Sequence, residues 1–305
     1  MDIFGNNNHL RDAVNFFVYD TIKIFILLIV IIFIVSIIRS FLPPEKIRKI
    51  LSRKDRYAGH ILAALMGLVT PFCTCSAIPL FLGFIEAGVP LGVTFTFLVA
   101  SPMINEVALI MLFGMFGWKV ATLYIASGML IAVVSGLVIG ALKPERLLEA
   151  IEPKRSGSPL TENVEFRWGD RIKYAKTYVI FIIKKVWLFI LIGVGAGAFI
   201  HGYVPMDFLA KYAGGDKWYA VPLAALIGIP LYSNAAGIIP LVSALTEKGV
   251  AMGTTLAFMM AVTGLSLPEF LILRKVMKAR LILAFAGIVG LGIMLTGYLF
   301  NIILR

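Results

Sequence analysis

The sequence predicts an all-α integral membrane protein made of two halves related by an inverted-topology repeat. Three observations carry that expectation. Of 305 residues, 60% are apolar and only 15% are charged, against about 25% charged in an ordinary soluble domain. Adding 161 to a residue number maps one half of the chain onto the other. Corresponding loops of the two halves carry opposite charge bias, which places them on opposite sides of a membrane.

The apolar excess is concentrated in long runs. Within Ile22 to Leu42, the stretch Ile24 to Ile38 holds a single polar residue, Ser36. About 20 such residues at 1.5 Å each cross a hydrocarbon layer of ~30 Å. The first residues lack a basic stretch followed by a short apolar run and a small-residue cleavage site, so no removable signal peptide is expected. The net charge of +11 is carried largely by short loops between apolar runs. Anionic lipid and the positive-inside bias produce that distribution, and a nucleic-acid partner is not expected. Two cysteines, Cys73 and Cys75, are too few for a disulfide framework.

The repeat is legible residue by residue. Ala63, Ala64, Leu65 and Gly67 map to Ala224, Ala225, Leu226 and Gly228. Ile78, Pro79, Leu80, Glu86, Gly88, Val89, Gly92, Thr94, Phe97 and Ala100 map to Ile239, Pro240, Leu241, Glu247, Gly249, Val250, Gly253, Thr255, Phe258 and Ala261. That makes 4 + 10 = 14 identities over the 38 ungapped positions 63–100. Apolar composition raises chance matches among Leu, Ile and Ala, but not among Pro, Gly, Glu and Thr together. The loops then orient each half. Pro43 to Tyr57 holds six basic residues, whereas its equivalent Val204 to Trp218 holds two, Lys211 and Lys217. Around Trp118 there is one, Lys119, whereas its equivalent holds Arg274, Lys275, Lys278 and Arg280. Residues 143–176, with eight basic residues, read as a cytoplasmic linker between a first membrane repeat, 1–142, and a second, 177–305.

Each half shows four apolar segments, at 22–42, 58–87, 89–117 and 119–142, and again at 183–203, 218–247, 248–273 and 280–303. Inversion needs an odd number of crossings. The expectation is therefore about three full spans per half plus a re-entrant broken-helix hairpin, with eight full spans as the alternative. Segments two and three are the ones with breakers at mid-length. Thr70-Pro-Phe-Cys-Thr-Cys-Ser76 interrupts the second and Ser101-Pro-Met-Ile-Asn-Glu106 the third; their counterparts are Gly228 to Asn234 and Thr263 to Glu269. Backbone freed by such breaks is tolerated in lipid only where protein or a water-filled cavity covers it. Paired broken segments in corresponding places of two halves point to a transporter's solute site.

Chemistry-bearing residues collect at those breaks. Cys73 and Cys75 would point about 200° apart on an intact helix, but to one side of an extended stretch, which Pro71 favours. Two such thiolates make a soft bidentate site for Cu(I), Zn(II) or trivalent arsenic and antimony; the plainer reading is two small hydrophobes in packing. Glu106 and Glu269 are carboxylates beside the second pair of breaks, where a proton-coupled carrier needs a titrating group; tips lying near water would also hold a glutamate. Thr70, Ser76, Asn105 and Asn234 can bind solute or satisfy freed backbone. Glu86 and Glu247 precede glycine turns and read as interfacial, and His60 and His201 read as packing or interfacial residues. No G-x-x-x-x-G-K-[ST] loop occurs, so ATP hydrolysis by this chain is not expected, nor is any cofactor.

The run Thr70-Pro-Phe-Cys-Thr-Cys-Ser-Ala-Ile-Pro79, followed by Glu86-Ala-Gly88 and Ser101-Pro-Met-Ile-Asn105-Glu106, resembles the predicted-permease family that includes the organoarsenical efflux permease ArsP. The resemblance covers nearly the whole chain except the linker. It implies a secondary efflux carrier in the cell membrane, with the motif cysteines, here Cys73 and Cys75, as solute ligands and the bilayer and a small or metalloid solute as partners. The expectation is thus an exporter of a soft, thiol-reactive solute such as a trivalent organoarsenical, not an enzyme, with both termini outside. A homo-oligomer is compatible with it. A carrier for a soft metal ion or small sulfur compound, using the same thiols, is the first alternative. A membrane thiol oxidoreductase, cycling the pair to a disulfide, is the second.

Overall fold

The computed structural model describes residues 56–69, 74–104, 106–142, 217–230, 235–274 and 277–304, with parts of 14–37 and 168–195. Every bounded element among them is a helix: α1 Arg56–Val69, α2 Thr74–Glu86, α3 Leu91–Met103, α4 Glu106–Ala141, α5 Ala220–Gly228, α6 Ala235–Glu247, α7 Met252–Gly264, α8 Leu267–Leu273 and α9 Ala279–Ile303. Three stretches are long and apolar enough to cross a membrane: Ala108–Ala141, Met252–Leu271 and Ala279–Ile303.

Helix bounds recur at the sequence offset. α2 and α6 begin and end 161 residues apart, as do α3 and α7. Gly117, with φ 82° and ψ 174°, interrupts α4, and Lys278, 161 residues on, lies in the gap between α8 and α9. The stops recur too. Gly88 and Gly249 take φ of 76° and 83°, which glycine alone adopts without strain. There the Gly88 amide donates to Ile85 and that of Val89 to Phe84, both at 2.9 Å; Gly249 and Val250 donate to Thr246 and Leu245, both at 3.0 Å. This is the paired bonding of a helix C-terminus closed by a left-handed residue.

α3 and α7 form the centre. All of Leu91–Met103 is buried, and so is Gly253–Gly264. Their apolar residues run round the whole helix rather than along one stripe, as required of a helix enclosed on every side. The threonines they carry return their hydroxyls to the preceding turn: Thr94 to Pro90 O at 3.1 Å, Thr96 to Gly92 O at 3.2 Å and Thr255 to Ala251 O at 3.1 Å. Polar atoms are thereby satisfied within the helix, so no neighbour need be polar. α2 packs on α3 through edge-to-face pairs, Phe81 with Phe95 at 5.2 Å and Phe84 with Phe97 at 5.1 Å.

Glycine sets the closest approaches. A Cβ on Gly92 would stand 2.7 Å from the Gly136 carbonyl and 3.1 Å from Gly140 Cα. A Cβ on Gly253 would strike the Gly297 carbonyl and the Asn301 backbone, at positions equivalent to Gly136 and Gly140. Small residues at such crossings let helices associate in lipid, where no hydrophobic drive exists between them. α9 confirms which solvent surrounds the bundle. Its inner face buries Phe285, Val289 and Ile293, and its outer face exposes Leu283, Leu291, Leu295 and Leu299. A helix apolar on both faces belongs in lipid.

Contacts between the halves join equivalent positions. The Met103 side chain lies against Gly264, and Ile131 lies against Gly292; both pairs are separated by 161. α3 with α7 and α4 with α9 are the helix pairs that meet at these contacts.

The expected linker 143–176 differs in its last part. Residues 143–167 lie outside those described, but helical residues already occur at Trp168 and from Arg171. Ala175 and Val179 are buried and Ile183 is packed against the core, so a repeat of four seats one helix face despite the intervening lysines. Helical residues likewise start at Val14, ahead of the segment expected from residue 22.

Candidate functional site

The breaks are narrower than the sequence suggests. Pro102 is accommodated inside α3, and the chain leaves the helix at Ile104, φ −110° and ψ 79°, whose amide still donates to Ala100 O. In the second half Leu265 does the same, φ −139° and ψ 48°, donating to Ala261 O. Pro268 is the second residue of α8, where a missing amide hydrogen removes no helical bond. In the second half the Leu267 amide donates to the Ile229 carbonyl at 3.0 Å, joining the start of α8 to the end of α5. In the first half Gly67 approaches Ala100 and Ser101 closely enough that a Cβ would stand 2.6 Å from Ala100 Cβ.

Packing brings breaks of opposite halves together. Met103, last in α3, meets Gly264, last in α7. α8 packs against α2, and α6 packs against α4. Elements that start or end at breaks therefore converge around these contacts.

Glu269 is 1% exposed, and among the described residues its carboxylate is approached only by the Ser266 amide, without a well-formed hydrogen bond. Ser266, 2% exposed, has its Oγ buried with no hydrogen-bond partner among the described residues. Glu106 opens α4 and is half-buried, with Oε2 buried and unpartnered. Tyr124 is buried and donates its hydroxyl to the Met103 carbonyl at 2.9 Å, beside Thr263. That bond satisfies a carbonyl at the end of α3 that its own helix leaves free.

The remaining expected residues are placed as follows. Thr70, Cys73, Asn105 and Asn234 lie outside the described residues. Cys75 and Ser76 are in the first turn of α2, which begins at Thr74. The extended stretch expected across Cys73-Thr-Cys75 is therefore not continued on its C-terminal side, because helix formation starts inside it. His60 is buried, its Nδ1 2.7 Å from Thr96 Oγ1, a packing role as read. Glu247 accepts from Ser243 at 3.1 Å on the exposed side.

Two residues escaped the sequence reading. Ser266 is the +161 counterpart of Asn105, so the offset would have found it. Tyr124 has no such signal, because its counterpart Phe285 lacks the hydroxyl.

Membrane-capable helices, interrupted where the two halves meet, are the construction of a permease. The chain belongs to the ArsP_1 family of predicted permeases, which it matches over residues 9–302, and it is accordingly a membrane transport protein. It is 24% identical to UPF0718 protein MJ0584 of Methanocaldococcus jannaschii over 83% of this chain and 85% of that one. It is 24% identical to UPF0718 protein YraQ of Escherichia coli over 80% of this chain and 68% of that one. To UPF0718 protein YcgR of Bacillus subtilis it is 23% identical over 81% and 82%. No solved structure matches significantly.

Proposed function

We propose that this permease is a secondary carrier in the cell membrane that exports a soft, thiol-reactive solute, such as a trivalent organoarsenical, through the convergent breaks. The observation that carries the reading is the placement of both of the chain's cysteines. Cys75 is the second residue of α2 and Cys73 stands two residues before it in the sequence, and α2 packs on the helix that holds Glu269. A monosubstituted trivalent arsenical offers two exchangeable hydroxyls, matching two thiols, and soft thiolates select soft centres. Thr70, Ser76, Asn105 and Asn234 complete the polar rim of the proposed site. Everted vesicles from cells with and without the protein, offered trivalent organoarsenicals, Cu(I), Zn(II) and small thiols, test this directly. Protein-dependent uptake of the arsenical supports the reading, and uptake confined to a metal ion or a thiol transfers the site to that solute. No protein-dependent uptake of any of them overturns it.

The proposed topology is an inverted repeat about the contacts between the halves, with its axis in the membrane plane. The loop charges support the inversion, and the length of α3 supports re-entry. Its thirteen residues span about 20 Å, short of a ~30 Å layer, whereas α7 lies within Met252–Leu271, which is long enough to cross. Residues 43–57, 143–176 and 274–280 then face the cytoplasm and both termini face outward. Single cysteines introduced at Ile50 and Ala210, with the native pair removed, are expected to label from opposite sides; labelling from one side rules the inversion out.

Energy is proposed to come from an ion gradient, with at least one of Glu106 and Glu269 as the coupling carboxylate. An ionised carboxylate buried without a partner is costly, so binding and release of a positive charge there is strongly linked to what else the site holds. Replacement of the coupling residue by Gln is expected to leave downhill exchange while removing dependence on the gradient. Wild-type export that persists with both pH gradient and potential collapsed would refute coupling.

A further inference from the structure

The two central breaks carry the same backbone but different chemistry. At the first, the Tyr124 hydroxyl closes on the Met103 carbonyl at 2.9 Å, and Glu106 is half-buried at the first position of α4. At the second, Phe285 stands where Tyr124 would, and it packs edge-on against Phe270 of α8 at 6.4 Å. There Ser266 Oγ and the Glu269 carboxylate are buried, and among the described residues only the Ser266 amide approaches the carboxylate. We propose that Ser266 and Glu269 form a binding site for one monovalent cation, a proton or a sodium ion, and that the Met103–Glu106 break does not.

The spacing Ser266-Leu-Pro-Glu269 is also that of a capping box, in which serine and glutamate close on each other's amides. The box does not account for the atoms. The Ser266 amide stands beside the Glu269 carboxylate, one half of the box, but the other half is open, because Ser266 Oγ is unpartnered. A surface box leaves the spare oxygen to water, whereas Glu269 is 1% exposed.

No cation among the described residues bonds to the carboxylate. α7 carries no titratable side chain and α2 carries only Cys75 and Glu86. On the side of α9, Arg274, Lys278 and Arg280 are exposed, and Tyr298 lies more than three turns beyond Phe285. On α4 the titratable groups are Glu106, Lys119 and Tyr124, with Lys119 exposed and Tyr124 engaged at Met103. One negative charge with three oxygens suits a single positive charge. A divalent ion takes six to eight oxygens and usually more than one carboxylate.

The site stands on these atoms; its role in coupling rests on the transport reading. A cation bound only by the folded protein raises its thermal stability, a readout that needs no transported solute. The full chain, purified in detergent, is unfolded thermally in two series: sodium replacing choline at about pH 8, and choline alone from about pH 8 to about pH 5, where a buried carboxylate titrates. The wild type is expected to be stabilised in one series, which identifies the cation as sodium or proton. Glu269→Gln is expected to lose that response, Ser266→Ala to shift its midpoint by about tenfold in cation concentration, and Glu106→Gln and Tyr124→Phe to retain it. Should Glu269→Gln fail to fold, Glu269→Asp is expected to keep the response with a displaced midpoint. A wild type flat in both series overturns the proposal, as does equal loss in Glu106→Gln. An intact response in protein that moves no arsenical overturns the solute reading and leaves the cation site standing.

Discussion

Cys75→Ser and Cys73→Ser are each expected to abolish export of a trivalent organoarsenical while leaving folded yield close to wild type. A bidentate thiolate site loses its chelate when either sulfur goes, and a hydroxyl does not replace thiolate toward a soft centre. Fold should survive because the repeat does not need the thiols: Asn234 and Ala236 occupy the equivalent positions, and α6 keeps the same bounds as α2 at the offset of 161. The measurement is vesicle uptake normalised to folded protein by size-exclusion chromatography. Undiminished uptake by the double mutant would return both cysteines to packing. Reduced yield without reduced uptake per molecule would do the same.

Gly253→Ala is expected to cost about 3 kcal/mol or more, the upper end for overpacking, and to remove most folded protein. The added Cβ would strike the Gly297 carbonyl and stand 2.5 Å from the Asn301 amide nitrogen. Both are backbone atoms of α9, and Asn301 also holds Thr254 through its side chain, accepting from the Thr254 amide at 3.1 Å. Neither can yield without separating α7 from α9. Gly287→Ala, with nothing within 4 Å, is the control and should be neutral or gain up to about 1 kcal/mol of helix propensity. Gly264→Ala should fall between them, because the atom it meets at 2.9 Å is the terminal methyl of Met103, the flexible tip of an adaptable side chain. Thermal unfolding of the three variants ranks them. Equal melting of Gly253→Ala and Gly287→Ala would contradict the close α7–α9 crossing.

Much of the architecture is one-dimensional information. Hydropathy over a window of membrane thickness marks the segments, because lipid admits only chains that satisfy their own backbone. The identities from Ala63 to Ala100 and from Ala224 to Ala261 are carried by glycines, prolines and threonines whose local duties recur. Gly88 and Gly249 close equivalent helices in the left-handed region, and Thr94 and Thr255 bond back one turn in the same way. Such features depend on a few neighbours in sequence, so they are legible there. The breaks after Val69 and near Pro102 were visible for the same reason.

Two local details lay beyond such patterns. The sequence favours an extended Cys-Thr-Cys run, yet α2 starts at Thr74, between the two cysteines. The charges from Trp168 onward suit a linker, while Ala175 and Val179 are buried among them.

By itself, then, the sequence determined the solvent, the helical apolar segments and the local features that recur at the offset of 161. Only the tertiary structure decided which breaks meet, that Met103 faces Gly264, that Tyr124 closes one break, and that Ser266 and Glu269 are sealed at the other. Those outcomes depend on helices brought together across the chain, Tyr124 and Met103 from 21 residues apart and Met103 and Gly264 from 161. Burial and hydrogen-bond satisfaction are properties of that packing, and no pattern along a single segment records them.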